Sequence, residues 1–336
     1  MILPLEKPFT STYPYNANAI SVLTYHEKTF PWLYNNFIQL IGVKNKSDIN
    51  CLLDYFDFSF EKCPFLEFQK ISKQLIMEKW DNLLSFVCES IKSHYYIYLV
   101  VKVKEIPAYH NSDNVVHDLF IYGYDDKKQE LSIADNFRGK YEFKKCSYQE
   151  FLKATFNISE EQEKYNEFNG CIILLKYKEN EKSGFYPSRV KESIADYLNG
   201  TPTKNWYTRF FDPWMEHNRE LIFQYGIKNY DFIDRIIDTI MEKKYFPYAT
   251  LQPLHLLTQH KRIMSDRVLF MYKNGYIHNL ELVESFQKIA NLADILLSLI
   301  MKTTIGSQNI ENKIKKIYVE IKEKEQCALE NLYHSL

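Results

Sequence analysis

Apolar residues recur at two different spacings along the first half of the chain, and the change between them marks two kinds of structure. Residues 16–26, 32–42 and 80–92 carry apolar side chains at three- and four-residue steps, the period of a helix with one buried face. From residue 95 onward the pattern becomes runs and alternations of β-branched and aromatic residues. Strands are predicted over 95–103, 118–124, 130–135, 140–143 and 170–177. The charged run Asp125-Asp126-Lys127-Lys128 and the stretch Asn136-Phe137-Arg138-Gly139 supply turns between successive strands. Helices followed by an antiparallel sheet make an α+β order.

The pattern changes again over 178–205, where Gly184, Pro187, Gly200 and Pro202 fall among Asn, Ser and Lys. Beyond it, 231–241, 254–272, 280–303 and 309–333 have helical period, with Gly275 and Gly306 at the breaks. A chain of 336 residues is long enough for two cores. The expected organisation is an α+β domain over 1–180 followed by an all-α helical bundle domain over 205–336.

Composition narrows the partners. With 46% hydrophobic residues, 25% charged residues and a formal net charge of -1, the chain has the profile of a globular protein, with no basic excess for nucleic acid. The lysines at 313, 315 and 316 fit a solvated helix face. No apolar run approaches the roughly 18 residues of a membrane span, and the first residues lack a basic stretch followed by an apolar one. No membrane association and a cytoplasmic location are therefore expected. The six cysteines show no C-x-x-C spacing, which favours reduced thiols over a zinc site or a disulfide framework. His255 and His260 lie five apart, a poor step for one helix face, so core or surface roles outweigh metal ligation. With 26 Tyr and 23 Phe against 9 Gly, the interior is expected to be rich in rings. Tyr13, Tyr15, Trp32 and Tyr34 are expected to serve that packing first, with lining of an acyl channel as the other use.

The candidate chemistry sits in one hairpin. His117 opens a strand, charged residues reverse the chain, and the next strand ends at Asp135, so an antiparallel pairing sets an acid beside an imidazole. A carboxylate that accepts from one ring nitrogen fixes the tautomer and stabilises the imidazolium when the other nitrogen takes a proton. A surface His and a turn Asp are the plain alternative.

The surrounding residues weigh against that alternative. His117, Gly123-Tyr124-Asp125, Ile133-Ala134-Asp135-Asn136-Phe137 and Ser147-Tyr148-Gln149-Glu150-Phe151 follow one another as in the papain-like superfamily. Over residues 10–177 the chain resembles its bacteriocin-processing and butirosin-assembly branches, and 97–107 resembles the strand and loop ahead of the histidine there. The helical remainder resembles companion proteins of nonribosomal peptide clusters. The resemblance implies a papain-like domain with a Cys-His-Asp site, His117 as base and Asp135 as its orienter.

At the nucleophile the chain departs from that pattern. The resemblance puts the start of the cysteine-bearing helix at Tyr13-Pro14-Tyr15-Asn16, with Asn16 as N-cap, and Ala17 stands at the nucleophile position. Three readings stay open: a cysteine replaced by alanine, a natural pseudoenzyme, or service by another cysteine. For the last, Cys51 in the first turn of a helix capped by Ser47 or Asp48 is foremost, and Cys63 before Pro64 follows.

The activity implied is thiol-dependent acyl transfer in peptide-antibiotic assembly, forming an amide from a thioester held on a carrier protein. The partners implied are that carrier with its phosphopantetheine-tethered substrate and a small amine acceptor, and no cofactor or metal is expected in the chain itself. A catalytically inactive binding protein for a carrier-tethered chain and a cysteine peptidase are the alternatives.

Overall fold

The computed structural model describes all residues except 46–50, 57–59, 81, 111–112, 157, 160–161, 163–169, 204–220, 243–247 and 304–309. The chain separates into two compact units, one formed by Met1–Phe30 with Ser59–Ser183 and the other by Pro31–Phe58 with Gly184–Leu336. Pro31–Phe58 thus packs with the second unit, although sequence order put it within the 1–180 domain.

The first unit is built on a six-stranded sheet. Its elements are α1 (Pro14–Thr24), β3 (Leu66–Ser72), α3 (Lys73–Lys79), α4 (Leu83–Lys92), β4 (Tyr96–Lys102), β5 (Val116–Asp125), β6 (Glu130–Phe137), β7 (Lys140–Ser147), α5 (Tyr148–Thr155) and β8 (Cys171–Tyr177). The strand order is β3-β8-β4-β5-β6-β7, with every neighbouring pair antiparallel. Tyr96 through Val101 are all buried, which fits a central strand covered on both faces. Helix α1 packs against β5, β6 and β8, and α4 and α5 pack against β4. The Ser147-Tyr148-Gln149-Glu150 motif is a capping box: Ser147 Oγ accepts from the Glu150 N–H at 3.2 Å, and the Glu150 carboxylate accepts from the Ser147 N–H at 2.7 Å.

The second unit departs from an all-α bundle. It opens with α2 (Phe30–Asn35), β1 (Leu40–Asn45) and β2 (Leu52–Tyr55), and continues with α6 (Pro187–Asn199), β9 (Leu221–Tyr225), α7 (Tyr230–Met241), α8 (Tyr248–Lys273), α9 (Leu280–Thr303) and α10 (Glu311–Ser335). The strands form a three-stranded antiparallel sheet in the order β2-β1-β9, so this unit is a helical region with a small sheet.

The helix expected over 32–42 therefore stops at Asn35. Phe37 takes a left-handed φ of 57°, and the buried Arg267 of α8 collects the carbonyl oxygens of Tyr34 at 2.8 Å, Asn36 at 2.5 Å and Phe37 at 3.1 Å. A guanidinium from a distant helix thus satisfies the carbonyls where α2 ends, and the chain is free to continue as β1. Gly42 of β1 is required by close packing, since a Cβ there would lie 2.1 Å from Asn229 Oδ1.

Candidate functional site

The β5–β6 hairpin carries the site. Its register runs from Asp125 opposite Glu130 to Gly123 opposite Ser132, shifts by one residue, and resumes with Ile121 opposite Ile133 and Phe120 opposite Ala134. Asp135 lies one step beyond Ala134, alongside the start of β5. His117 Nδ1 is 3.1 Å from Asp135 Oδ2, so the pairing of imidazole and acid anticipated in the sequence is present.

Asp135 is completely buried and well supplied with donors. The Asn136 N–H donates to Oδ1 at 2.6 Å, and the Tyr109 hydroxyl donates to Oδ2, the same oxygen that His117 approaches. The Asn136 side-chain amide donates to the Ser11 carbonyl at 2.6 Å, tying the end of β6 to the segment that leads into α1. Tyr109 comes from the short turn Pro107–Tyr109 ahead of β5. Its phenol is pushed well above its ordinary pKa by burial and by the adjacent Asp135 charge, so it acts as a fixed neutral donor.

His117 Nδ1 also lies 2.8 Å from the Asp118 carbonyl oxygen and 3.5 Å from Asp118 Oδ1. Asp135 and Asp118 both offer acceptors to Nδ1, which places a proton on Nδ1. The ring remains 31% exposed. Burial opposes charge on this ring. The Asp135 hydrogen bond and charge, joined by the Asp118 charge and carbonyl, outweigh it and raise the pKa to about 10. The imidazolium is therefore the resting form at neutral pH. Asp118 is raised to about 6 by burial, with the His117 charge opposing the rise and Asp135 adding to it.

Ala17 carries no side-chain atom that could act as a nucleophile. It sits in the fourth position of α1, fully buried, with its N–H donated to the Tyr13 carbonyl at 2.9 Å. The helix begins at Pro14 with Tyr13 as N-cap, so Asn16 lies inside it instead of capping it. Cys51 precedes the strand β2 and is buried, where a first helical turn was expected, and Ser47 and Asp48 lie outside the described residues. Burial pushes the thiols of Cys51, Cys63 and Cys146 up to about 12, which keeps them protonated.

Of the aromatic candidates, Trp32 is buried in the core, whereas Tyr13, Tyr15 and Tyr34 are half-buried. Tyr15 meets Phe60 and Tyr98, Trp32 meets Phe37, and Tyr34 meets Phe270. His260 is fully buried with Nε2 2.8 Å from the Ile38 carbonyl oxygen. No cluster of three or more His, Cys, Asp or Glu suited to a metal occurs among the described residues. No described helix is long and apolar enough to cross a membrane. Sequence spacing located His117 and Asp135 but not Tyr109 or Asp118. Adjacency to the histidine is the one sequence signal for Asp118, whereas nothing local marks Tyr109.

No protein-family model and no curated protein matches the chain.

Proposed function

We propose that the first unit is a papain-like acyl-transfer module that makes an amide from a carrier-bound thioester and a small amine, with His117 handling the proton and Asp135 orienting it. The observation that carries this reading is the contact between a partly exposed imidazole and a fully buried carboxylate that already holds two other donors. A buried acid held in this way is costly to maintain unless it serves its partner.

Because alanine has no nucleophilic atom and Ala17 is buried, the acyl group passes from donor to acceptor without an acyl-enzyme. The amine nitrogen attacks the thioester carbonyl, a C–N bond forms and the C–S bond breaks. The Nε2–H of His117 protonates the departing sulfur, and the ring then recovers the proton shed by the new amide nitrogen. The proton count closes, and the resting imidazolium is the form such a step needs.

A second reading is a non-catalytic protein that binds a carrier-tethered chain, and the alanine buried at position 17 favours it. The two separate in one assay: an S-acyl pantetheine thioester is incubated with a small primary amine, and the amide is followed by mass spectrometry in wild type and His117→Gln. Amide formation that falls by about 10²–10⁴ in the variant supports transfer. Rates equal to the variant's, with thioester still bound, support the binding protein, and free acid in place of amide points to hydrolysis.

A further inference from the structure

We infer that Asp118 is a positioning residue of the His117 site, fixing the ring and its proton jointly with Asp135. The inference rests on the proposed proton-handling role of His117 and adds a second carboxylate to it.

Nδ1 is shared. The Asp118 carbonyl oxygen at 2.8 Å is nearer than Asp135 Oδ2 at 3.1 Å, and Asp118 Oδ1 stands at 3.5 Å. Asp118 therefore contributes both a backbone acceptor that aims the ring and a carboxylate that acts on its charge. That carboxylate does little for the fold. The residue is 4% exposed, and its Oδ2 is buried with no hydrogen-bond partner among the described residues. An unpaired buried carboxylate oxygen destabilises the unit that contains it. A neutral side chain of similar size would hold the strand without that cost, so the acid matters through what its charge does to the imidazole beside it.

The titratable groups that act on Asp118 or feel it come from every neighbouring segment: His117 on its own strand, Asp135 from β6, Tyr98 from β4 and Tyr109 from the turn ahead of β5. Both phenols are held neutral by burial. Titration of the imidazole and of Asp118 is thus coupled and proceeds in more than one step. Asp118 ionises near pH 6 and His117 releases its proton near pH 10, so between them the imidazolium faces the full charge of Asp118.

The test is a pH titration of the His117 ring by NMR in histidine-labelled protein, with His117→Gln used to assign the signal, in wild type and in Asp118→Asn. Wild type is expected to show a small step near pH 6, as Asp118 ionises, ahead of the main step near pH 10. In Asp118→Asn, which keeps the backbone carbonyl, the small step vanishes and the main step moves down by roughly one pH unit. An unmoved main step means that Asp118 is only structural and overturns the inference. If the variant fails to fold, the wild-type titration decides alone, because absence of the small step overturns it equally. No turnover is involved, so a failure to form amide removes the proposed function and leaves this result to be read on its own.

Discussion

Among the described residues, two pairs of a cation with a buried carboxylate are built differently. In the second unit Lys261 and Glu325 meet at 2.5 Å with side chains 1% and 2% exposed. Glu325 Oε1 also accepts from the Tyr197 hydroxyl at 3.2 Å, Oε2 accepts from the Tyr230 hydroxyl, and Lys261 Nζ lies 3.3 Å from His260 Nδ1. Both carboxylate oxygens are satisfied and the assembly is closed to solvent. In the first unit the cation is an imidazole, it is 31% exposed, and an acid beside it has one buried oxygen with no hydrogen-bond partner among the described residues. A sealed and satisfied network joins α6, α7, α8 and α10 and has no atom left for chemistry. In the open one the imidazole stays partly exposed beside two acids.

Substitutions sharpen that contrast, and the sealed pair should give the largest loss of stability. Glu325→Ala leaves Lys261 buried without its counter-charge and is expected to cost about 3–5 kcal/mol, measured by chemical denaturation. The double variant Lys261→Met with Glu325→Leu should regain most of that, because the pair's desolvation cost is removed along with it. A double variant as unstable as the single one would break the comparison, since the network would then be more than a pin.

At the open pair the main effect should fall on rate. Asp135→Asn removes the charge that orients His117 and favours its protonated form, and the proposed amide formation is expected to drop by about 10²–10⁴. Retention of full rate would show that Asp135 only supports the hairpin.

The pH dependence of stability follows from the same pair. The folded-state pKa of His117 is raised from 6.5 to about 10, so its contribution is fully present below pH 6.5 and is lost as pH rises through 10. Asp118 is raised from 3.8 to about 6, so the folded state again binds the proton more tightly and stability falls as pH climbs through that window. Denaturation midpoints of His117→Gln should lack the decline between pH 6.5 and 10 that wild type shows. Parallel curves for the two proteins would contradict the assignment.

The smallest expected effect concerns the thiols. Cys51, Cys63 and Cys146 should react with iodoacetamide at least about tenfold more slowly than the exposed Cys327, as read by peptide mass spectrometry in native and denatured protein. Labelling of Cys51 at the Cys327 rate would restore it as a candidate nucleophile.

The parts of this picture that sequence reveals are those fixed by local pattern. Strands β4 to β8 alternate or run apolar between clear turns, α7 to α10 keep helical period, and the His117–Asp135 hairpin follows from strand order. Distant partners decide the rest. Trp32, Leu33, Phe37 and Leu40 have helical spacing, yet α2 ends at Asn35 because Arg267, more than two hundred residues later, takes the carbonyls there. Helix α6 lay hidden in a stretch dense with loop residues, although Pro187 at its first turn and Gly200 just past its end, at φ 58°, are ordinary helix boundaries. Tyr109 joins the site through a turn whose residues carry no periodic signal.

The measurement closest to the central claim is the titration of the His117 ring by NMR in wild type and Asp135→Asn. A working pair gives a midpoint near pH 10 in wild type and a fall toward the ordinary 6.5 once the carboxylate is removed. A wild-type midpoint at or below 6.5, or one that Asp135→Asn leaves in place, would mean that His117 and Asp135 are neighbours without being a working pair.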